Sequence, residues 1–113
     1  MKKIIVFVLL GLFLVPVVGV GSSPALAQGG GGKSMFDGKC AMCHGNDGKG
    51  NGPAAGSFSP APKDFTTPAF WQTMTRAKIK DTIENGRGSM PPIELSNSQM
   101  NAIIDYMEQA FKK

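Results

Sequence analysis

Cys40-Ala41-Met42-Cys43-His44 is the stretch on which the reading of this chain turns. Two cysteines three positions apart, followed at once by a histidine, match the C-x-x-C-H pattern of covalent haem attachment. On one helical turn the two thiols reach the two vinyl groups of a single porphyrin, and the next residue presents an imidazole to the iron. Three other chemistries compete for these five residues. A disulfide between Cys40 and Cys43 would close so short a loop that it restrains the unfolded chain little, and it leaves His44 without a role. Zinc needs four ligands, whereas the whole chain has two cysteines and one histidine. A thioredoxin-like pair belongs in a strand–helix–strand context that is missing here. One covalent c-type haem, held through Cys40 and Cys43 with His44 on the iron, is therefore expected.

The composition then constrains the other side of the iron. His44 is the only histidine, so bis-histidine ligation within the chain is excluded. Methionine, lysine, tyrosine, a terminal amine, a small molecule or a vacancy remain. Of the seven methionines, Met1 lies in the leader, Met42 is tied inside the attachment turn, and Met35 sits on the helix that precedes it. Met100 and Met107 recur seven residues apart on the last helix, where a core role is expected. Met74 and Met90 are left. Met90 stands in Gly86-Arg87-Gly88-Ser89-Met90-Pro91-Pro92, whose glycines permit close approach to a ring and whose prolines fix the exit of the loop. It is the expected sixth ligand, ahead of Met74 and of the plain alternative that Met90 is a loop-tip hydrophobe.

Ahead of the motif, Lys2 and Lys3 introduce an apolar run over 4–20, and Ala25-Leu26-Ala27 offers an Ala-x-Ala cleavage site. That is the layout of a signal peptide over residues 1–27. The run contains Pro16 and is shorter than the roughly 20 apolar residues of a membrane span, so cleavage is expected over a retained anchor. The protein is thus expected in the periplasm, with membrane contact only if the segment stays. The remaining chain is small enough for an ordinary core to be marginal, so a bound group should help hold it together. Formal charge falls from +4 to +2 when Lys2 and Lys3 leave, which gives no reason to expect nucleic acid as a partner.

Four consecutive glycines within Gln28-Gly29-Gly30-Gly31-Gly32 predict a flexible linker over 28–33, because ordering them costs backbone entropy. A domain over 34–113 follows. Its first helix is expected over 34–41 with Ser34 as N-cap, and a second over 75–85, capped by Thr75 and ended by Gly86. Phe70, Trp71 and Met74 suggest a short helical turn. Ser96 or Ser98 caps a last helix to about residue 111, with Met100, Ile103, Ile104, Met107 and Phe111 as its apolar stripe. Residues 45–62 are rich in glycine and proline and predict an irregular loop. Within it, Asp47-Gly48-Lys49-Gly50 resembles the start of a calcium loop, but Lys49 and Phe58 occupy ligand positions and exclude that reading. No strand is expected. The fold class is all-α, with three to four short helices and long loops wrapped around a prosthetic group.

These residues together resemble the class I cytochrome c family, in particular its small bacterial periplasmic members. The likeness runs from Phe36 to Phe111 and rests on Phe36 ahead of Cys40-x-x-Cys43-His44, the Gly52-Pro53 step, Met90-Pro91, and a final helix bearing Ile103, Ile104 and Tyr106. It implies the cytochrome c fold, in which first and last helices cross, so that Phe36 packs near Tyr106. It also implies that the Pro53 carbonyl accepts a hydrogen bond from the proximal imidazole, and that Trp71 either donates to a haem propionate or simply packs. Arg87 either neutralises a propionate or lies exposed beside the rim.

The function expected is a monomeric monohaem electron carrier, not an enzyme, exchanging electrons with redox-partner proteins through a low-spin haem held by His44 and Met90. Lys39, Lys49, Lys63 and Arg87 either surround the haem edge or are scattered charge. A peroxidase or gas sensor would need Met90 off the iron, and no distal histidine is available as a base. A fixed subunit of a larger oxidoreductase would use the same chemistry beside a permanent neighbour.

Overall fold

A computed structural model describes residues 25–113, with the side chains of its first helix from residue 31 onward, and the isolated positions 11, 16 and 19. The expected signal peptide falls almost wholly outside the described residues. Five α-helices follow in order: α1 (Ala25–Lys39), α2 (Ala41–His44), α3 (Pro68–Thr73), α4 (Arg76–Asn85) and α5 (Asn97–Phe111), with a 3-10 turn at Ala55–Ser57. The fold is all-α, with no β-strand among the described residues. None of these helices is long and apolar enough to cross a membrane.

Local chemistry accounts for most of the boundaries. Ser96 caps α5 through a reciprocal pair: its hydroxyl accepts from the Gln99 N–H at 3.1 Å, and the Gln99 side chain accepts from the Ser96 N–H at 2.9 Å. The Thr75 hydroxyl accepts from the Lys78 N–H at the start of α4, and Gly86 ends that helix at φ 72°, a conformation costly for any residue with a side chain. Pro68 opens α3, where its missing N–H costs nothing.

Helix α5 is the spine of the core because its apolar stripe serves two sides. Ile103, Met107 and Phe111, spaced by four, pack with Phe36, Ala41 and Phe65. Met100 and Ile104, also spaced by four, pack with Ile79 and Ile83 of α4. All five stripe residues are buried, as the periodicity predicts. Phe36 is fully buried, its ring 5.4 Å from that of Tyr106 and 5.3 Å from that of Phe111. This is the first-against-last helix crossing that the family resemblance implies.

The glycine run corrects the sequence reading. Residues 28–33 are helical, not a flexible linker, and Ser34 lies inside α1 instead of capping it. The reason is tertiary. A β-carbon at Gly32 would overlap the Ala102 carbonyl, so the bare backbone is what lets α1 approach α5 closely. Contact with a neighbouring helix offsets a poor local propensity.

Candidate functional site

The attachment turn is short, and the loop that follows is tied to it by backbone hydrogen bonds. Gly50 N–H donates to the His44 carbonyl at 2.7 Å, Gly52 N–H to Cys43 at 3.0 Å, and Ala54 N–H to Met42 at 2.9 Å. Gly52 has no alternative here, since a β-carbon would overlap the carbonyls of Ala41 and Met42. The Gly52-Pro53 step thus lies against the attachment turn. The irregular loop is ordered by the very segment that carries Cys40, Cys43 and His44.

Beside that turn lies a cavity of about 940 Å³, at the upper end of what small-molecule sites occupy. Cys40, Cys43, His44, Met90 and Arg87 all border it, and Ile79, Ile83 and Ile103 supply apolar wall. Residues far apart in sequence are therefore brought to one hollow. Cys40 and Cys43 are free thiols, and burial pushes the Cys40 thiol up to about 11. The Cys40 thiol therefore stays protonated at neutral pH.

Burial holds the His44 imidazole below its ordinary pKa, partly offset by a hydrogen bond to the Lys63 carbonyl. The imidazole is consequently neutral at pH 7, the form that ligates metal. Nδ1 lies 3.1 Å from the Lys63 oxygen. A carbonyl can only accept, so the proton belongs on Nδ1 and the lone pair on Nε2. The expected acceptor was Pro53, and here the structure differs: Lys63, ten residues later, supplies the carbonyl, while Pro53 is exposed and does not border the cavity. The physical requirement is an acceptor that fixes the tautomer and ring. Which carbonyl meets it depends on how a glycine-rich loop returns.

Lys63 is held by its successors. The Asp64 carboxylate accepts from the Thr66 N–H at 2.8 Å and from the Thr66 hydroxyl at 2.6 Å, closing a tight turn. Those bonds hold the carboxyl below its ordinary pKa. Phe65 N–H donates to the Gly48 carbonyl at 2.7 Å, and the Phe65 ring stacks on the His44 imidazole with centroids 4.4 Å apart. The indole N–H of Trp71 donates to the Phe65 carbonyl at 2.7 Å, and Trp71 does not border the cavity. In this structure the indole N–H is engaged inside the protein. Phe65 and the carbonyl of Lys63, a residue named in the sequence only for its charge, are what sequence reasoning missed; the only local signal was the Asp64-x-Thr66 turn.

Across the cavity, Met90 sits at the end of a turn closed at both sides, with Arg87 N–H donating to the Met90 carbonyl and Met90 N–H to that of Arg87, each at 3.0 Å. Gly88 at φ 57° occupies the first corner, where the positive φ favours glycine. Gly86 approaches the Met90 carbonyl so closely that a β-carbon would lie 2.6 Å from it. The backbone of Met90 is thus fixed from two directions. Met74 borders the same cavity without such a clamp. Arg87 is exposed on the border, as are Lys39 and Lys63, while Lys49 does not reach it.

The donor set and the hollow fit a haem: two thiols one turn apart, a neutral tethered imidazole, a clamped thioether and an apolar wall. The comparisons agree. The cytochrome c family model matches residues 31–111. Among solved structures, a chain of the Kuenenia stuttgartiensis reducing HAO-like protein complex Kustc0457/Kustc0458 aligns with TM-score 0.57 and 25% identity, over 70% of this chain and 40% of that one. This chain thus spans less than half of that one's length. The KustC0563 c-type cytochrome aligns with TM-score 0.59 and 22% identity over 73% of this chain and 98% of that one, a likeness of fold. No curated protein matches.

Proposed function

The chain belongs to the cytochrome c family, and on that premise we propose that it is a periplasmic monohaem electron carrier whose iron is held between His44 and Met90. Membership carries a covalently bound haem c and haem-based electron transfer. The single observation that supports the finer reading is the one cavity bordered by Cys40, Cys43, His44 and Met90.

When bound, the haem supplies a one-electron iron couple. The protein's residues do the rest. Cys40 and Cys43 would hold the group by thioether bonds, which suits an exported chain that would lose a dissociable cofactor. His44 offers Nε2 because its Nδ1 proton is committed to Lys63, and that hydrogen bond raises the basicity of the ring. Met90 offers a thioether on a closed turn, and Ile79, Ile83 and Ile103 keep water from the wall. Thioether ligation and burial both favour the reduced iron. If His44 and Met90 both ligate the iron, it would have no place for a substrate, and outer-sphere transfer would be favoured over chemistry on a bound substrate. The leader-like residues 1–27 support export to the periplasm.

Absorption spectra of the oxidised and reduced holoprotein, with and without carbon monoxide, test this reading. A sulfur-to-iron charge-transfer band and no response to carbon monoxide are expected, and Met90→Ala should lose the band and bind the gas. Prompt carbon monoxide binding by the wild type, or a spectrum unchanged in Met90→Ala, would overturn it.

A second reading is favoured by the likeness to a chain of a redox complex: the same haem chemistry working as a fixed member of a larger assembly. Gel filtration and co-purification from periplasm separate the two. A free carrier elutes as a monomer.

A further inference from the structure

We propose that the Phe65 ring sets the plane of the His44 imidazole, and that Trp71 acts as a positioning residue by holding Phe65 in place. This rests on His44 being an iron ligand. The hydrogen bond from Nδ1 to Lys63 tethers the imidazole at one point. The ring can still turn about its Cβ–Cγ bond, and a single hydrogen bond restrains that turn only softly. The Phe65 ring removes that freedom: it lies 4.4 Å away at an interplanar angle of 23°, so rocking in that direction drives one ring into the other.

Such a stop works only if it cannot move, and Phe65 is fixed at three places. Its N–H is bonded to Gly48 at 2.7 Å, in the loop that is itself tied to the attachment turn. Its carbonyl accepts from the Trp71 indole at 2.7 Å. Its ring is buried, with that of Phe70 at 4.9 Å and that of Phe36 at 6.3 Å. Trp71 is in turn held from outside by Lys112, whose ammonium lies 5.7 Å from the ring centroid. A chain of contacts therefore runs from the surface through Trp71 and Phe65 to the imidazole. Cys40 and Cys43 would fix the cofactor in the same frame, so that a fixed imidazole plane would give a fixed ligand orientation toward the porphyrin. That orientation would set the order of the iron d orbitals, which a merely structural role would leave untouched.

Paramagnetic NMR of the oxidised holoprotein reads it directly, because the shifts of the four haem methyls follow the ligand plane. Phe65→Leu, which keeps most of the bulk but not the flat ring, is expected to reorder the methyl resonances while the protein stays low-spin. Phe65→Tyr restores the wild-type order. Trp71→Phe, which removes the indole N–H and part of the ring's bulk while keeping an aromatic face, shifts the methyls in the same direction by less and speeds exchange of the His44 Nδ1 proton roughly two- to tenfold, the equivalent of one hydrogen bond. A folded, low-spin Phe65→Leu with wild-type methyl order overturns the proposal. If Phe65→Leu does not accumulate as holoprotein, an unchanged methyl pattern and exchange rate in Trp71→Phe overturn it instead. Failure of the underlying ligand assignment looks different: the wild type itself would then lack a histidine-ligated low-spin spectrum.

Discussion

Gly32 on α1 rests directly against the carbonyl of Ala102 on α5, leaving no room for a β-carbon at residue 32. The added methyl of Gly32→Ala would also come within 3.2 Å of the Tyr106 β-carbon. Alanine gains about 0.5–1 kcal/mol in helix propensity, but overpacking against a backbone that cannot yield costs about 1–3 kcal/mol, so the clash wins. Gly38, on the same helix, has nothing within 4 Å of its would-be β-carbon, and Gly38→Ala should therefore stabilise by about 0.5–1 kcal/mol. Denaturant unfolding of the two holoprotein variants checks both signs.

That opposition shows where the sequence was legible and where it was not. The attachment motif, the exclusion of a second histidine and the stripe on α5 all depend on residue type and short spacing, which a linear reading captures. Thr75, Gly86 and Ser96 carry local cap chemistry and were readable for the same reason. Gly32 was misread because its reason lies 70 residues away, in the Ala102 carbonyl. The role of the Lys63 carbonyl was missed because it is a backbone oxygen, and every residue has one. Trp71 looked like a donor seeking a partner. Its partner is the Phe65 carbonyl, equally without a side-chain signature.

Arg76, at the start of α4, reaches two carboxylates on successive turns of α5, Asp105 and Glu108, each at 2.8 Å. The forked geometry suits a guanidinium, but its side chain is 40% exposed and solvent screens the pair. Arg76→Gln should cost about 1 kcal/mol or less, and the difference from wild type should shrink as salt is raised. Thermal unfolding at low and high ionic strength reads both.

Asp64 makes the turn that carries the Lys63 carbonyl to His44, and its bonds to Thr66 hold its pKa below the ordinary carboxylate value. The folded value is lower than the unfolded one, so the folded state favours the ionised form. Its contribution is fully present above the unfolded value of about 3.9 and is lost as pH falls through the folded value. Asp64→Ala should therefore be less stable than wild type at neutral pH, and the two stability curves should converge in acid. A gap that stayed constant down to the acid transition would show that the carboxylate does not act through its charge.

The clamp on Met90 separates two kinds of glycine. Gly88, at φ 57°, has open space where a side chain would go, so Gly88→Ala meets only backbone strain, about 1–2 kcal/mol. Gly86, at φ 72°, meets the same strain and in addition would press a β-carbon to 2.6 Å from the Met90 carbonyl and 2.9 Å from the Pro92 nitrogen. Those atoms are main chain on both sides of Pro91, so relief requires the Met90 loop itself to move. Gly88→Ala should thus lower stability yet keep the sulfur-to-iron band of the oxidised holoprotein. Gly86→Ala should weaken that band and open the iron to carbon monoxide. Equal spectra for the two variants would mean that the loop absorbs the displacement without moving the Met90 thioether, and that the backbone contact at Gly86 does not set the position of Met90.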